Sequence, residues 1–184
     1  MIGDVTGKGA RAAALTAQVR HTLRTAAQYE ASPSAVLDLV NRTLLAERGE
    51  SGRYCTVAMC RMKFDGSATV CCAGHPLPMI ARGSGEVEHI GRPGSVLGWV
   101  PDPNFVDVAF ELGEGESLVL FTDGVTEART TGDAYGLGGL EELLRAAAHE
   151  DAAGIASRVD RAAARAGERR DDVAVLVARR AGTS

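Results

Sequence analysis

The run Ser117-Leu118-Val119-Leu120-Phe121 is apolar without interruption and then breaks into Thr122-Asp123-Gly124. A strand with one wet face alternates polar and apolar residues, so an unbroken run of this length reads as a central strand covered on both sides and polar at its end. The stretch from Tyr54 to Phe64 has the same character, with Tyr54, Ala58, Cys60 and Met62 on one face and Cys55, Val57 and Met59 on the other. Sheets built from such strands need a layer above and a layer below.

The rest of the chain supplies those layers. Ala12, Leu15, Val19, Leu23 and Ala26 recur at intervals of three and four and predict a helix from Ala10 to Tyr29. Ser32-Pro33 starts a second helix, with serine as cap and proline at the first helical position, running to about Arg48. Phe64-Asp65-Gly66-Ser67 is a hairpin signal leading into Ala68 to Ala73, and a two-residue Asp-Gly turn would set Cys60 opposite Cys71. Met79 to Ala81 and Val87 to Ile90 form a second hairpin around Gly83-Ser84-Gly85, Gly91 to Pro103 is a long connection, and Phe105 to Phe110 a strand. After Phe121, Thr130 to Gly136 reads as a loop. Leu137, Leu140, Leu143, Leu144 and Ala147 mark one helix and Ile155, Val159, Ala162 and Ala166 another, before a last strand, Val173 to Ala178. Hairpin-joined strands with helices gathered in blocks give an α+β fold: two antiparallel sheets stacked and flanked by helices, a four-layer α-β-β-α sandwich. Residues 1–180 form one domain, and 181–184 a frayed tail.

Composition narrows the function. The chain has 184 residues, 45% of them hydrophobic, enough for one substantial core. A net charge of -4 with no basic stripe argues against nucleic acid as a partner. No apolar run approaches the roughly 18 residues of a membrane span, and no leader pattern opens the sequence. Cys55, Cys60, Cys71 and Cys72 lack paired C-x-x-C spacing and read as reduced core thiols of a cytoplasmic protein.

Three carboxylate stations stand at the ends of apolar strands: Asp4 in Ile2-Gly3-Asp4-Val5-Thr6-Gly7-Lys8-Gly9, Asp123, and the pair Asp171-Asp172 ahead of Val173. Each has a plain structural use. Asp123-Gly124 is a turn former, Asp4 is placed to cap the following helix, Asp171-Asp172 ends a loop, and Gly7-Lys8-Gly9 alone could bind an anion without metal. If the three converge, their like charges need a cation. Oxygen ligands select hard ions, Mg²⁺ or Mn²⁺, and two such ions about 3.5 to 4 Å apart activate water against a phosphoester.

Four segments, Ile2 to Gly9, Ala73-Gly74-His75-Pro76-Leu77-Pro78, Leu120 to Arg129 and Arg170 to Val175, resemble in order and spacing the motif series of SpoIIE-type (RsbU-like) phosphatases, a branch of the metal-dependent type 2C protein phosphatases. The resemblance implies a Mn²⁺/Mg²⁺ pair and hydrolysis of phosphoserine or phosphothreonine on a regulatory protein, an anti-sigma-factor antagonist in a partner-switching pathway. It implies that Asp4 bridges both metals, that Val5 offers its backbone carbonyl, and that Asp123 and Asp171 ligate one ion, with Asp171 preferred to Asp172. Gly124 would allow close approach of its loop, and His75 belongs to a Gly-His-Pro loop resembling a family motif. The chain departs from the pattern in starting after two strands that carry a Gly-Gly-Asp motif, and in having Lys8 and Ala174 where histidine and threonine are common. The strand ending at Asp4 is therefore expected to have no hairpin partner and to leave an open edge that favours a homodimer. The competing reading is a non-catalytic interaction or sensor module with an incomplete metal site.

Overall fold

In the computed structural model, the described residues are 1–47, 54–127, 129–130, 133–134, 136–165 and 172–182. From the N-terminus the chain runs through strand β1 (Ile2–Val5), helices α1 (Ala10–Tyr29) and α2 (Pro33–Ala46), and strands β2 (Cys55–Met62), β3 (Ser67–Ala73), β4 (Met79–Ala81), β5 (Val87–His89), β6 (Val108–Glu111) and β7 (Ser117–Phe121). A short helix α3 (Asp123–Thr126), a small ribbon of β8 (Arg129–Thr130) and β9 (Asp133–Ala134), helices α4 (Gly136–Ala147) and α5 (Ala152–Arg165), and strand β10 (Val175–Arg179) complete it. The strands pair antiparallel into one sheet of order β1-β2-β3-β6 and another of order β10-β7-β4-β5.

Side-chain parity sorts the strands into three cores. Leu118 and Leu120 of β7 point with Ile80 of β4 toward Ala58, Val70 and Cys72 of the facing sheet, and form the layer between the sheets. Val119 and Phe121, one residue out of step, point with Met79 and Ala81 toward Leu140, Leu144, Ile155 and Val159 of α4 and α5. On the other sheet Val57, Met59, Cys71 and Ala73 meet Leu15, Val19, Leu23, Val36, Leu37 and Val40 of α1 and α2. The α-β-β-α order expected from the doubly apolar strands is therefore what forms, and every strand that reads as apolar on both faces has a partner layer on each.

Several local expectations needed correction. The hairpin after β2 is closed by a three-residue loop, not two. Lys63 N–H donates to the Ser67 carbonyl at 2.9 Å and Gly66 N–H to the Lys63 carbonyl at 3.1 Å. Gly66 has φ 90°, the left-handed conformation that a bulged three-residue turn requires. The Asp65 carboxylate locks this turn by accepting from Ser67 N–H and Oγ. The extra residue shifts the register by one, so Cys60 lies opposite Val70 and Met59 opposite Cys71. Cys60 and Cys71 thus face different cores, and all four cysteines are free. Burial pushes the Cys55 and Cys72 thiols up to about 12 and those of Cys60 and Cys71 up to about 11.

The strand expected over Phe105 to Phe110 begins only at Val108, because Phe105 packs on the α1/α2 core from the preceding coil. A short helix and a ribbon occupy positions read as turn and loop, and β10 begins two residues later than expected. β1 does have a strand neighbour. It pairs with β2 across both helices, with Asp4 opposite Thr56, and its other side is an edge of the sheet. α2 ends at Ala46, short of the end expected near Arg48, which lies outside the described residues, as do Thr183 and Ser184 of the expected tail.

Candidate active site

The site lies where the inter-sheet core stops. Asp4 is two residues from Ile2, which packs into that core, so the two share a face of β1. Thr56 shares a face with Ala58 and Thr122 continues the face of Leu118 and Leu120, all core residues of the same layer. Alternation along three strands therefore delivers a carboxylate and two hydroxyls to one end of a dry layer. The polar end expected of the apolar β7 run is that place.

Each element is held in a distinct way. Thr6, just after β1, donates from both N–H and Oγ1 to the Tyr54 carbonyl, at 3.3 and 2.8 Å. This fixes the chain as it enters Gly7-Lys8-Gly9. Gly9 has φ 80° at the position before α1 and caps it with no side chain, so the turn presents main chain instead of a serine or aspartate. Asp4 is thus not the helix cap. Across the gap, Thr122 is 4% exposed and its hydroxyl both accepts from Ala174 N–H and donates to the Asp172 carbonyl, each at 2.9 Å. Its own N–H donates to the Ala174 carbonyl at 3.0 Å. Thr122 thereby straps the segment leading into β10 against the end of β7.

These parts enclose a cleft of about 650 Å³ lined by Asp4, Val5, Gly7, Lys8 and Gly9 on one side and by Thr122 and Asp172 to Ala174 on the other. Asp4 of β1 and Asp172 of the segment ahead of β10 thus share one cleft with Lys8. Asp123 follows Thr122 and opens α3. Its Oδ1 accepts from Gly124 N–H at 2.9 Å, and its carbonyl accepts from Glu127 N–H and Thr126 Oγ1. Gly124 is buried beneath it. Asp171 lies outside the described residues. Among the described residues no three His, Cys, Asp or Glu groups are close enough to hold an ion together.

His75 sits between the two sides. The loop Gly74 to Pro78 carries the chain from β3 in one sheet to β4 in the other. The ring is 5% exposed, with Nδ1 2.9 Å from Thr56 Oγ1, and Nε2 is buried with no hydrogen-bond partner. Burial holds the imidazole below its ordinary pKa, while the Asp123 carboxylate and the Phe121 main chain act against that. Thr122 and Thr56 had escaped the sequence reading. Thr122 carries a signal, standing between the apolar β7 run and Asp123, whereas Thr56 comes beside Asp4 only through the β1/β2 ladder.

The family described as Stage II sporulation protein E (SpoIIE) matches residues 1–181. The chain belongs to the SpoIIE family. Among curated proteins, this SpoIIE-family chain is 29% identical over 131 residues to phosphoserine phosphatase RsbU of Bacillus subtilis (strain 168), a match covering 70% of this chain and 39% of RsbU. Its fold superposes with a TM-score of 0.81 on the RsbU and RsbW domains of Rv1364c from Mycobacterium tuberculosis, at 26% identity, covering 99% of this chain and 51% of that one. The manganese-presoaked phosphatase domain of SpoIIE from Bacillus subtilis superposes with a TM-score of 0.63 at 17% identity, over 90% of this chain and 74% of that one. The chain thus spans about two fifths of the curated relative's length and about half of the first structure's.

Proposed function

We propose that this SpoIIE-family chain is a metal-dependent phosphatase domain that hydrolyses phosphoserine or phosphothreonine on a regulatory protein of the anti-sigma-factor-antagonist type, in the cytoplasm. The observation that carries the reading is the cleft lined by both Asp4 of β1 and Asp172 of the segment ahead of β10, together with Lys8 and Thr122. Membership of the family and the name of the RsbU relative support the reaction class. No helix among the described residues is long and apolar enough to cross a membrane.

The donor set fits a hard divalent cation. The carboxylates Asp4 and Asp172 line the cleft, and among the described residues no thiol or imidazole does. Asp4, the Val5 carbonyl, Asp123 and Asp171 are the groups that would hold Mn²⁺ or Mg²⁺. When bound, the ions supply Lewis-acid activation of water and neutralise charge on the phosphoryl oxygens. The chain's own residues do the rest. Lys8 and the Gly7 to Gly9 main chain offer positive charge and approach room for a phosphate, and Thr122 keeps the Asp172 segment in place. No side-chain nucleophile is required. The open edge of β1 is the surface on which a second copy would pair, and light scattering at the mass of a monomer alone would argue against such a homodimer.

The test is turnover of p-nitrophenyl phosphate and of a phosphoserine peptide with Mn²⁺, with Asp123→Asn as control. The reading requires Mn²⁺-dependent turnover that the variant loses. Equal rates in both proteins, or Mn²⁺ binding without turnover, would favour a non-catalytic module.

A further inference from the structure

Trp99 is the chain's single tryptophan, and it is 52% exposed. An apolar residue alone on a surface needs no explanation, but this one is held in a built frame. Leu97, two residues earlier, is buried in the α1/α2 core and exchanges both main-chain hydrogen bonds with Cys55, at 2.9 and 3.2 Å. Gly98 takes φ 81°, and its N–H donates at 2.8 Å to Oδ1 of Asn41, a fully buried side chain of α2. Nδ2 of the same amide donates to the Val100 carbonyl at 2.9 Å. The main chain on both sides of Trp99 is thus bonded to one buried asparagine, while the indole meets the Tyr54 ring edge-on, with centroids 5.2 Å apart. An aromatic side chain fixed in advance loses little conformational freedom when a partner covers it, which is the property of the tryptophans and tyrosines that anchor interfaces.

Tyr54 ties this pair to the site. Its carbonyl accepts both bonds from Thr6, and Thr6 stands between Val5 and Gly7, which line the cleft with Asp4 and Lys8. From Thr6 to Tyr54 is one strand spacing, about 5 Å, and the Trp99 ring lies against the Tyr54 ring. The pair therefore borders the cleft on its β1 side, within reach of about three residues of extended chain. Phe64, which is fully exposed, follows the opposite end of β2, about 25 Å along the strand.

We propose that Tyr54 and Trp99 are the docking surface for the polypeptide that carries the phosphorylated residue, and that they take an apolar side chain within about three positions of the phosphoserine. A phosphoserine in the cleft has to bring its flanking chain out over the rim, and the aromatic pair is continuous with that rim through the Thr6 bonds. The surface selects the substrate and has no part in the bond-breaking step. The inference rests on the phosphatase reading above and adds what recognises the protein around the phosphate.

The experiment measures Mn²⁺-dependent turnover of p-nitrophenyl phosphate and of a short glycine-serine peptide with one central phosphoserine, together with variants of that peptide carrying a single leucine at each flanking position. In the wild-type chain at least one leucine position should lower KM about 10-fold. Trp99→Ala should remove that advantage by raising KM, with kcat for the peptide and turnover of p-nitrophenyl phosphate unchanged, because only binding common to ground and transition states is lost. Trp99→Phe should recover part of the advantage, and Phe64→Ala should leave it intact. The inference is overturned if Trp99→Ala keeps the wild-type KM for every peptide, or if Phe64→Ala raises KM as much as Trp99→Ala does. Should Trp99→Ala fail to fold, seen as lost turnover of p-nitrophenyl phosphate, the wild-type scan decides, and equal KM at all leucine positions overturns the inference. Absence of p-nitrophenyl phosphate turnover by the wild-type chain is a different result, which removes the phosphatase reading and this inference with it.

Discussion

β7 and β1 both end at the site, and they are built to opposite specifications. β7 lies between β10 and β4, and all five of its residues are buried. β1 borders β2 alone, and its residues are half-buried or exposed. The end of β7 is therefore placed by the two cores that grip it, with Thr122 adding hydrogen bonds across to Asp172 and Ala174. The end of β1 is placed by one ladder and by the two bonds from Thr6 to Tyr54. A site divided this way has a rigid wall and an adaptable one, with local opening expected to begin at the β1 side.

The sharpest way to break the comparison is at the rigid wall's carboxylate. Asp123→Asn keeps the side-chain oxygen that accepts from Gly124 N–H and removes the charge. Turnover with Mn²⁺ should fall at least about 100-fold, the upper end of what loss of a supporting partner costs, with an unchanged thermal midpoint in metal-free protein. A large drop in that midpoint would mean that Asp123 serves the fold. Stability separates the strands next. Phe121→Ala should cost about 3–5 kcal/mol in denaturant melts, because the ring is fully buried against α4 and α5. Val5→Ala at the edge should cost about 1 kcal/mol, since the residue is only partly buried and rests on the α1 side of its sheet. Equal costs would mean that β1 is gripped as tightly as β7.

The same contrast explains what could be read from the sequence. The four layers were legible because Leu118/Leu120 and Val119/Phe121 are apolar in both parities, and α1 was legible to its ends from the spacing of Leu15, Val19, Leu23 and Ala26. Asp4 and the Asp172 segment line one cleft, while the expected meeting of Asp4, Asp123 and Asp171 has no group of three among the described residues, from which Asp171 is absent. What escaped depends on three-dimensional detail that periodicity does not encode. Asp65-Gly66 suits a two-residue turn as well as the three-residue turn that forms, and the two bonds that Ser67 donates to the Asp65 carboxylate decide between them only in the folded hairpin. The β1/β2 pairing crosses two helices, so no turn residue announces it. The position of His75 over Thr56 requires the register of β3 on β2, which no local pattern gives.

Smaller changes test how each wall is fastened. Thr122→Val preserves shape and deletes one hydroxyl, leaving the Asp172 carbonyl and the Ala174 N–H without their shared partner. The main-chain bond from Thr122 N–H to the Ala174 carbonyl survives, so the loss should be about 1–3 kcal/mol, with faster amide exchange confined to the lead-in of β10. On the β1 side, Gly9→Ala isolates backbone conformation, because no atom lies within 4 Å of where the new Cβ would stand and φ is 80°. The cost is then torsional, about 1–3 kcal/mol for a side chain held at φ 80° and ψ −161°. Gly3→Ala meets the Thr56 carbonyl at 2.5 Å and forces the ladder itself apart. If the β1 wall is the adaptable one, Gly9→Ala should weaken Mn²⁺ binding more than its stability cost predicts, because the strained turn relaxes by moving Asp4 and Val5. Thr122→Val should lose the two in proportion, and the reverse ranking would assign the adaptable wall to β7.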